Sequence, residues 1–358
     1  MAEATHGIGG LTFDTSKRSM PPEAGVAIAL VLIVVVFELL GRFLMDDSFL
    51  FNTRENVDGL FNVARLKIIV LQVSIIGIIA LGVTQVIITG GIDLSSGSIV
   101  AATAMIAMSF AQVGEINGLQ NSRAIFFEQG LVDLPLILPI AVGLACGLVA
   151  GLINGALVAY TGIPPFIATL GMMVSARGVA KWWTAGQPVS FPTESYAAIG
   201  GGMMPVFIFA FLAILFHLIL RHTVYGKHTY AIGSSEAAAR MSGIKVARHK
   251  VLVYTIAGLL AGVAALVLSS KNLTAQAGMG MMYELDAIAM AVIGGISLQG
   301  GRGSVLGTVL GALIFGVIIS GFTFLRLDAY YQEMVKGAII VGAVVLDQWR
   351  QRRAAIDM

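Results

Sequence analysis

The most regular feature of the chain is a series of long apolar runs separated by shorter polar connections. A membrane-spanning helix needs about 20 mostly apolar residues, and ten segments approach or reach that length. They are 24–43, 67–89, 96–113, 135–160, 163–183, 204–220, 251–270, 285–300, 304–322 and 332–348. The pattern predicts an all-α polytopic membrane protein with about ten transmembrane helices.

Two glycine-rich interruptions fall beside these runs. The first break (88–98) reads ITGGIDLSSGS, and the second break (293–304) reads IGGISLQGGRGS. Lipid cannot satisfy a broken backbone, so such segments must be buried in protein or line a wet path. Paired breaks in corresponding halves are typical of a translocation pathway. Aligning the two glycine pairs gives an offset of 204 residues and predicts a parallel pseudo-repeat.

Composition agrees with a membrane protein and argues against other classes. Hydrophobic residues make up 57% and charged residues 12% of the chain, against about 45–50% and 25% in soluble domains. The net charge of +2 predicts no nucleic-acid partner, and the five histidines show no metal-ligand spacing. No phosphate-binding G-x-x-x-x-G-K-[ST] motif occurs. We therefore predict no enzyme, metal or cofactor in this chain, and any ATP and Mg would be bound by another protein.

Basic residues in the connections predict the orientation. The connection 221–250 has the largest basic cluster, and both terminal tails add lysines or arginines. Ten spans place all three on one side, which the positive-inside rule makes the cytoplasm. The predicted division is a cytoplasmic tail (1–23), a transmembrane domain (24–348) and a second cytoplasmic tail (349–358). The connection 46–66 fits either an outward loop or an amphipathic elbow on the membrane.

A short helix of about two turns is predicted over 235–243, within the basic connection. The segment offers a serine N-cap, an acid–base pair four residues apart and a glycine suited to the helix end. These residues are Ser234 or Ser235 for the cap, Glu236 and Arg240 for the pair, and Gly243 for the end. So short a helix is unstable alone and needs a surface to lie on. An ordinary amphipathic connector is the alternative.

Five segments together resemble the ABC importer permeases of sugars, the family that includes the bacterial ribose permeases. They are ITGGIDLSSGS (88–98), PPFIATLGMM (164–173), YAIGSSEAAARMSGI (230–244), YELDAIAMAVIGG (283–295) and YYQEMVKGAIIVGAVVLDQ (330–348). Within that family, GIPPFIATLGMMVSARG, TAGQPVS and AQAGMGMMYELDAIA most resemble the myo-inositol branch. The connection 114–134 is longer than in ribose permeases, and Ser234-Ser235 stands where the family more often has Gly-Asn.

The resemblance implies a permease at the bacterial inner (plasma) membrane that carries a neutral sugar or polyol. Myo-inositol is the expected solute, with ribose, galactose or xylose as alternatives. The implied partners are a second permease subunit (a homodimer), a cytoplasmic ABC ATPase and a periplasmic sugar-binding protein. The ATPase would drive the short helix through Ser235, Glu236, Ala237, Ala238, Arg240 and Gly243. An ion-coupled secondary carrier is the rival class, and it would not need this helix.

A neutral polyol would be guided by hydroxyl and amide groups between apolar walls. The pathway candidates are Asp93, Ser95, Ser96, Asn154, Phe166, Thr169, Ser297 and Gln299. Three have structural alternatives: Asp93 as a helix cap, Phe166 as a packing residue and Asn154 as a bond between helices. Glu284 and Asp286 are expected at the outer end of the eighth span, where they would be solvated or would dock the binding protein.

Overall fold

The computed structural model describes residues 22–51 and 60–356. The first half contains α1 (Pro22–Leu40, continued by a π-helical turn at Gly41–Met45), α2 (Val63–Ile88), α3 (Ser96–Ser109), α4 (Ile137–Tyr160), α5 (Pro165–Trp182) and α6 (Glu194–Ala197). The second half contains α7 (Met204–His222), α8 (Val224–Ser234), α9 (Glu236–Met241), α10 (Val246–Asn272), α11 (Tyr283–Ile293), α12 (Val305–Phe324) and α13 (Ala329–Ile356).

The predicted all-α membrane fold is confirmed, because each of the ten apolar segments coincides with a helix. Six of the described helices are long and apolar enough to cross a membrane: α1 with its π-helical turn, α2, α4, α7, α10 and α12. The segment 285–300 is only partly helical, since α11 ends at Ile293. The glycines that follow Ile293 end the helix, so the rest of that segment belongs to the second break.

The core is built around α2, α10 and α12. About two-thirds of the most apolar window of each is buried, against less than a third in α1, α4 and α7. Ile78, Leu81 and Ile87 of α2 are completely buried, whereas Val31 and Leu32 of α1 are largely exposed. The exposed side chains are as apolar as the buried ones, as expected where lipid replaces water as the solvent.

Glycines bring α4 and α10 into close contact. A Cβ on Gly258 would lie 2.7 Å from the Cα of Gly151, so neither helix could approach so closely with a side chain there. Small residues at such an interface are typical of helices packed in a membrane. This contact fixes Asn154 of α4 and Tyr254 of α10 beside the first break.

Two antiparallel pairs of short strands lie in the connections that follow α3, α5 and α10. β1 (Glu115–Ile116) pairs with β2 (Leu119–Gln120), and β3 (Val189–Ser190) pairs with β4 (Thr274–Ala275). The Gln112 side chain donates from Nε2 to the Ser190 carbonyl oxygen at 2.9 Å, which joins the two regions. The connection 114–134 is therefore an ordered cap on the bundle.

Candidate functional site

The first and second breaks begin with the same backbone turn. After α2, Gly90 N–H donates to Ile87 O (2.8 Å) and Gly91 N–H to Val86 O (3.0 Å). After α11, Gly295 N–H donates to Val292 O (2.9 Å) and Ile296 N–H to Ala291 O (3.1 Å). Gly90 and Gly295 have φ of +77° and +90°, so both helices end in a Schellman motif. Gly90 and Gly295 are therefore the structurally equivalent residues. They are 205 residues apart, one more than the offset of 204 predicted by aligning Gly90-Gly91 with Gly294-Gly295.

A buried polar network holds the first break where α3 begins. Asp93 Oδ1 accepts hydrogen bonds from Ser95 N–H (2.8 Å) and Ser95 Oγ–H (2.6 Å). Asn154 Nδ2 donates to Ser95 Oγ at 2.8 Å, linking α4 to the break. All three side chains are almost completely buried. Asp93 therefore bonds Ser95, the residue that precedes α3, and Asn154 bonds between α4 and the first break.

The Ile92 carbonyl oxygen is the second anchor of the first break. Thr169 Oγ1 of α5 and Tyr254 Oη of α10 both lie 3.4 Å from this oxygen. Thr169 also donates back to the Pro165 carbonyl oxygen of its own helix at 2.9 Å. Four of the predicted pathway residues, Asp93, Ser95, Asn154 and Thr169, are thus brought together around one irregular segment.

Three buried polar atoms in this region have no hydrogen-bond partner among the described residues. They are Ser96 Oγ, Asn154 Oδ1 and Glu284 Oε2. Glu284 lies against the first turn of α3, since a Cβ on Gly97 would overlap its Oε2. Buried polar atoms are ordinarily bonded, so unpartnered ones near two helix N-termini mark a place where a ligand or water can bind.

Glu284 and Asp286 lie in the first turn of α11, at the end of the eighth span as predicted, but the prediction that they are solvated was wrong. Both residues are buried rather than solvated, and Asp286 Oδ2 is bonded to Lys336 Nζ of α13 at 3.1 Å. The segment before α11 is held against α5, because Arg177 of α5 donates to the carbonyl oxygens of Ala277 (2.6 Å) and Met279 (2.7 Å). Glu284 consequently reaches the start of α3, and it is the site residue that the sequence interpretation missed.

Phe166, Ser297 and Gln299 are the remaining pathway candidates. Phe166 is 50% exposed, so it is not a packing residue within this chain. Ser297 is buried and its Oγ accepts from Gln299 N–H at 3.3 Å, whereas the Gln299 side chain is exposed. The backbones of the two breaks meet directly.

The two breaks and the end of α8 form one backbone junction. Gly301 N–H of the second break donates to Ile88 O, at the end of α2, at 2.8 Å. Gly233 of α8 lies against both groups, since a Cβ there would overlap Ile88 O and lie 2.5 Å from Gly301 N. Tyr230 Oη, also on α8, donates to Gly303 O at 2.8 Å. We call Ile88, Gly233 and Gly301 the glycine junction.

The predicted short helix is present as α9, directly after α8. Ser235 has an extended backbone between the two helices, and its Oγ accepts from Ala238 N–H at 3.3 Å. Gly243 has a φ of +82° just beyond the helix. Ser235, Ala237, Ala238 and Arg240 are exposed, and Ala239 is buried. The helix therefore rests on the protein by one face and leaves the other available.

Glu236 forms two ion pairs, one within α9 and one that joins α9 to α10. Its carboxylate pairs with Arg240 (2.8 Å) and with Lys250 of α10 (2.6 Å). The hydrogen bond from Lys250 is the largest cause that holds the pKa of Glu236 below its usual value. The Arg240 pair was predicted, but the Lys250 pair depends on the turn between α9 and α10 and was not.

Comparisons with known proteins agree with this architecture. A family model described as the branched-chain amino acid transport system permease component matches residues 65–344. The ribose import permease of Escherichia coli strain K12 is 36% identical over 97% of this chain and 99% of its own length. The galactose/methyl galactoside import permease of Haemophilus influenzae is 36% identical over 80% of this chain and 87% of its own. No solved structure matches.

These matches cover the first break, the short helix α9 and the second break in a single alignment range. The fold agrees with them, since the described residues form a polytopic helical bundle with six clear spans. The protein is a multi-pass membrane transport subunit, and it belongs to the ABC transporter permease family.

Proposed function

We propose that this chain is the permease subunit of an ATP-driven importer of a neutral monosaccharide or polyol, with myo-inositol as its solute. The observation that carries the proposal is the glycine junction, which connects α9 to both breaks through a single residue of α8. The sugar permeases among the relatives support the solute class. The resemblance of 162–178 and 275–289 to the inositol branch supports the specific solute.

In this proposal a separate ABC ATPase binds the exposed face of α9. ATP-driven closure of the ATPase moves α9, and the extended Ser235 passes that movement to Gly233 of α8. Because Gly233 touches Ile88 and Gly301, a displacement of α8 must move both breaks. Packed interfaces respond to such displacements by switching between discrete arrangements. The switch would open the pathway alternately to the two sides of the bacterial inner membrane, with both termini in the cytoplasm.

The polar cluster at the first break fits a weakly bound neutral solute. Ser96 Oγ, Asn154 Oδ1 and Glu284 Oε2 offer a mixture of donors and acceptors, and sugar hydroxyls act as both. The cluster lies between two helix N-termini, α3 and α11, as in other transporters with broken helices. Transport also requires release, so tight capture would belong to a periplasmic binding protein.

A second copy of the chain would complete the pathway. Phe166, Val174 and Trp182 lie on α5 and are at least half exposed. Exposed aromatic and aliphatic side chains on a helix that also carries Thr169 fit either lipid or a facing subunit. A homodimer places two copies of α5 opposite one another, with Phe166 at the wall of the pathway.

The experiment is uptake of labelled myo-inositol, ribose, galactose and leucine by cells with and without the chain. Leucine is included because of the description of the family model. Loss of myo-inositol uptake alone is the expected result. Loss of ribose or galactose uptake would keep the sugar permease and reject the inositol assignment, and loss of leucine uptake would reject the sugar class.

An ion-coupled secondary carrier is tested in the same cells. A proton ionophore that leaves cellular ATP intact should not prevent uptake if the ATPase drives transport. Immediate loss of uptake under that condition would contradict the ATP-driven mechanism.

A further inference from the structure

A cavity of about 1050 Å³ lies between α1, α7, α8 and the beginning of α12. Its polar wall consists of Glu23, His217, Arg221, Lys227, Tyr230 and Ser304. Its apolar wall consists of Ala24, Ala27, Leu220, Val305, Leu306 and Leu310. The cavity is therefore amphipathic, with polar groups at one end of four helices and an aliphatic surface beside them.

The charges in the polar wall are unequal. Arg221 and Lys227 form no salt bridge or side-chain hydrogen bond with another described residue, and both are exposed. The single carboxylate, Glu23, accepts a hydrogen bond from Ser304 Oγ at 2.8 Å. Arg221 and His217 also interact with it electrostatically. Even with Glu23 charged, the wall has a surplus of positive charge and suits an anionic group.

The apolar wall continues onto exposed aliphatic side chains of α1 and α7. Ile28 of α1 and Leu218 of α7, each one helical turn or less from the cavity lining, are about half exposed. Leu306 of α12 is similarly exposed inside the cavity. An occupant with a charged head and hydrocarbon chains could place the head against Arg221 and Lys227 and its chains along these helices. A soluble anion would leave the aliphatic wall uncovered.

We propose that this cavity binds the phosphate headgroup of an anionic phospholipid, held by Arg221 and Lys227. Basic pockets between transmembrane helices on the cytoplasmic side are suited to such headgroups. Tyr230 contributes to the cavity and also bonds Gly303 of the second break. A bound lipid would thus contact α8 at Tyr230, about one helical turn before Gly233 of the glycine junction. The binding claim does not depend on the solute or on ATP-driven transport.

The test measures lipid affinity of the purified full-length chain by native mass spectrometry. The probes are the anionic lipid palmitoyl-oleoyl phosphatidylglycerol (POPG) and its zwitterionic phosphatidylcholine counterpart (POPC). The wild-type protein should bind POPG more tightly than POPC. Each basic side chain near an anionic lipid contributes about a fivefold gain. The double variant Arg221→Gln/Lys227→Gln should therefore lose at least about tenfold in POPG affinity and much less in POPC affinity, because the choline of POPC offsets its phosphate charge.

The matched control is Lys245→Gln/Arg248→Gln, which removes two exposed basic residues from the same connection but outside the cavity. Its POPG affinity should stay within about twofold of wild type, because neither side chain lines the cavity and exposed charges are screened by salt. An equal loss in both double variants would overturn the proposal, and so would equal wild-type affinities for POPG and POPC.

Two further measurements test the aliphatic wall of the cavity: a variant that fills it and a competitor that lacks hydrocarbon chains. Ala27→Trp fills the aliphatic part of the cavity without changing charge, and it should also weaken POPG binding. Unchanged POPG affinity in this variant would contradict the site even if the charge variant failed to fold. Excess glycerol phosphate should not displace POPG, because it has no chains to cover the apolar wall. Displacement would instead identify a site for soluble phosphate compounds.

Discussion

The first and second breaks start from the same turn but are stabilised in different ways. In the first break, Asp93 of the break itself and two helical side chains, Asn154 of α4 and Tyr254 of α10, hold the segment in place. In the second break, backbone conformation dominates: Gly295, Gly300, Gly301 and Gly303 all have positive φ, and Ser297 N–H bonds Arg302 O at 3.2 Å. The first break is thus held by side-chain hydrogen bonds. The second break depends on glycine backbone conformations and contacts the first through its backbone.

This difference separates two requirements that one transporter has to meet. A site that recognises a solute needs side chains held in place by neighbours. A segment that transmits movement needs close backbone contact and few side chains. The two meet at the glycine junction, so damage to the junction should disturb both breaks at once, and damage to either break should be more local.

The largest effect is expected at the junction itself. Gly233→Val would force a side chain into Ile88 O and Gly301 N, and backbone atoms cannot move aside without displacing both breaks. We expect solute uptake per molecule in the membrane to fall at least about tenfold. The control is Gly178→Val on α5, where nothing lies within 4 Å of the added Cβ. Normal uptake by the Gly233 variant would remove the junction from the mechanism.

The second prediction compares two glycines of the second break. Both Gly295→Ala and Gly300→Ala place a side chain in the left-handed region, which costs about 1 kcal/mol. Gly295 has open space around it, whereas a Cβ on Gly300 would lie 2.9 Å from Gly233 O and from Gly90 N. The Gly300 variant should therefore lose about 1–3 kcal/mol more stability in thermal unfolding. Equal losses would mean that contact between the breaks is unimportant.

The third prediction separates the structural and ligand roles of Asp93. Asp93→Asn retains a side-chain oxygen that can accept from Ser95 N–H, whereas Asp93→Ala leaves that buried donor unpaired. The alanine variant should lose about 1–3 kcal/mol of stability and the asparagine variant much less. If the stable asparagine variant also fails to import solute, the carboxylate acts on the solute as well. If both variants unfold, the result supports only a structural role for the Asp93 carboxylate.

The smallest effects concern the two ion pairs of α9. Lys250 is 19% exposed and Arg240 is 70% exposed, and exposed pairs contribute about 0.3–0.5 kcal/mol. Lys250→Gln should therefore reduce thermal stability more than Arg240→Gln. Glu236 has a lowered pKa, so its pairs are intact above its usual value of 4.5 and are lost as pH falls through the lowered pKa. The stability difference between wild type and Lys250→Gln should be constant above that value and shrink below it.

The apolar runs were sufficient to predict the helices, and local signals were sufficient to predict α9. Runs of about 20 apolar residues are typical of membrane helices, and the serine, acid and glycine of α9 act within one or two turns. The Ser95 and Asn154 candidates came from polar residues in apolar surroundings. Their mutual hydrogen bond confirms that they share one region.

The errors arose where distant residues decide the structure. Glu284 follows a glycine- and methionine-rich connection that reads as an outer loop, but Arg177, about a hundred residues earlier, draws that segment inward. Likewise, the one-residue error in the repeat offset depends on which glycine has positive φ, and both glycines of each pair are able to adopt it. Neither feature is visible in the local sequence.

The central claim is that α9 drives the two breaks through the glycine junction. The most direct measurement is the ratio of solute imported to ATP hydrolysed by the assembled transporter, with wild type, Glu236→Ala and Gly243→Pro compared. Proline cannot adopt the φ of +82° at position 243. The account predicts that both variants still hydrolyse ATP while their import falls, so the ratio drops. An unchanged ratio with normal import in both variants would contradict it.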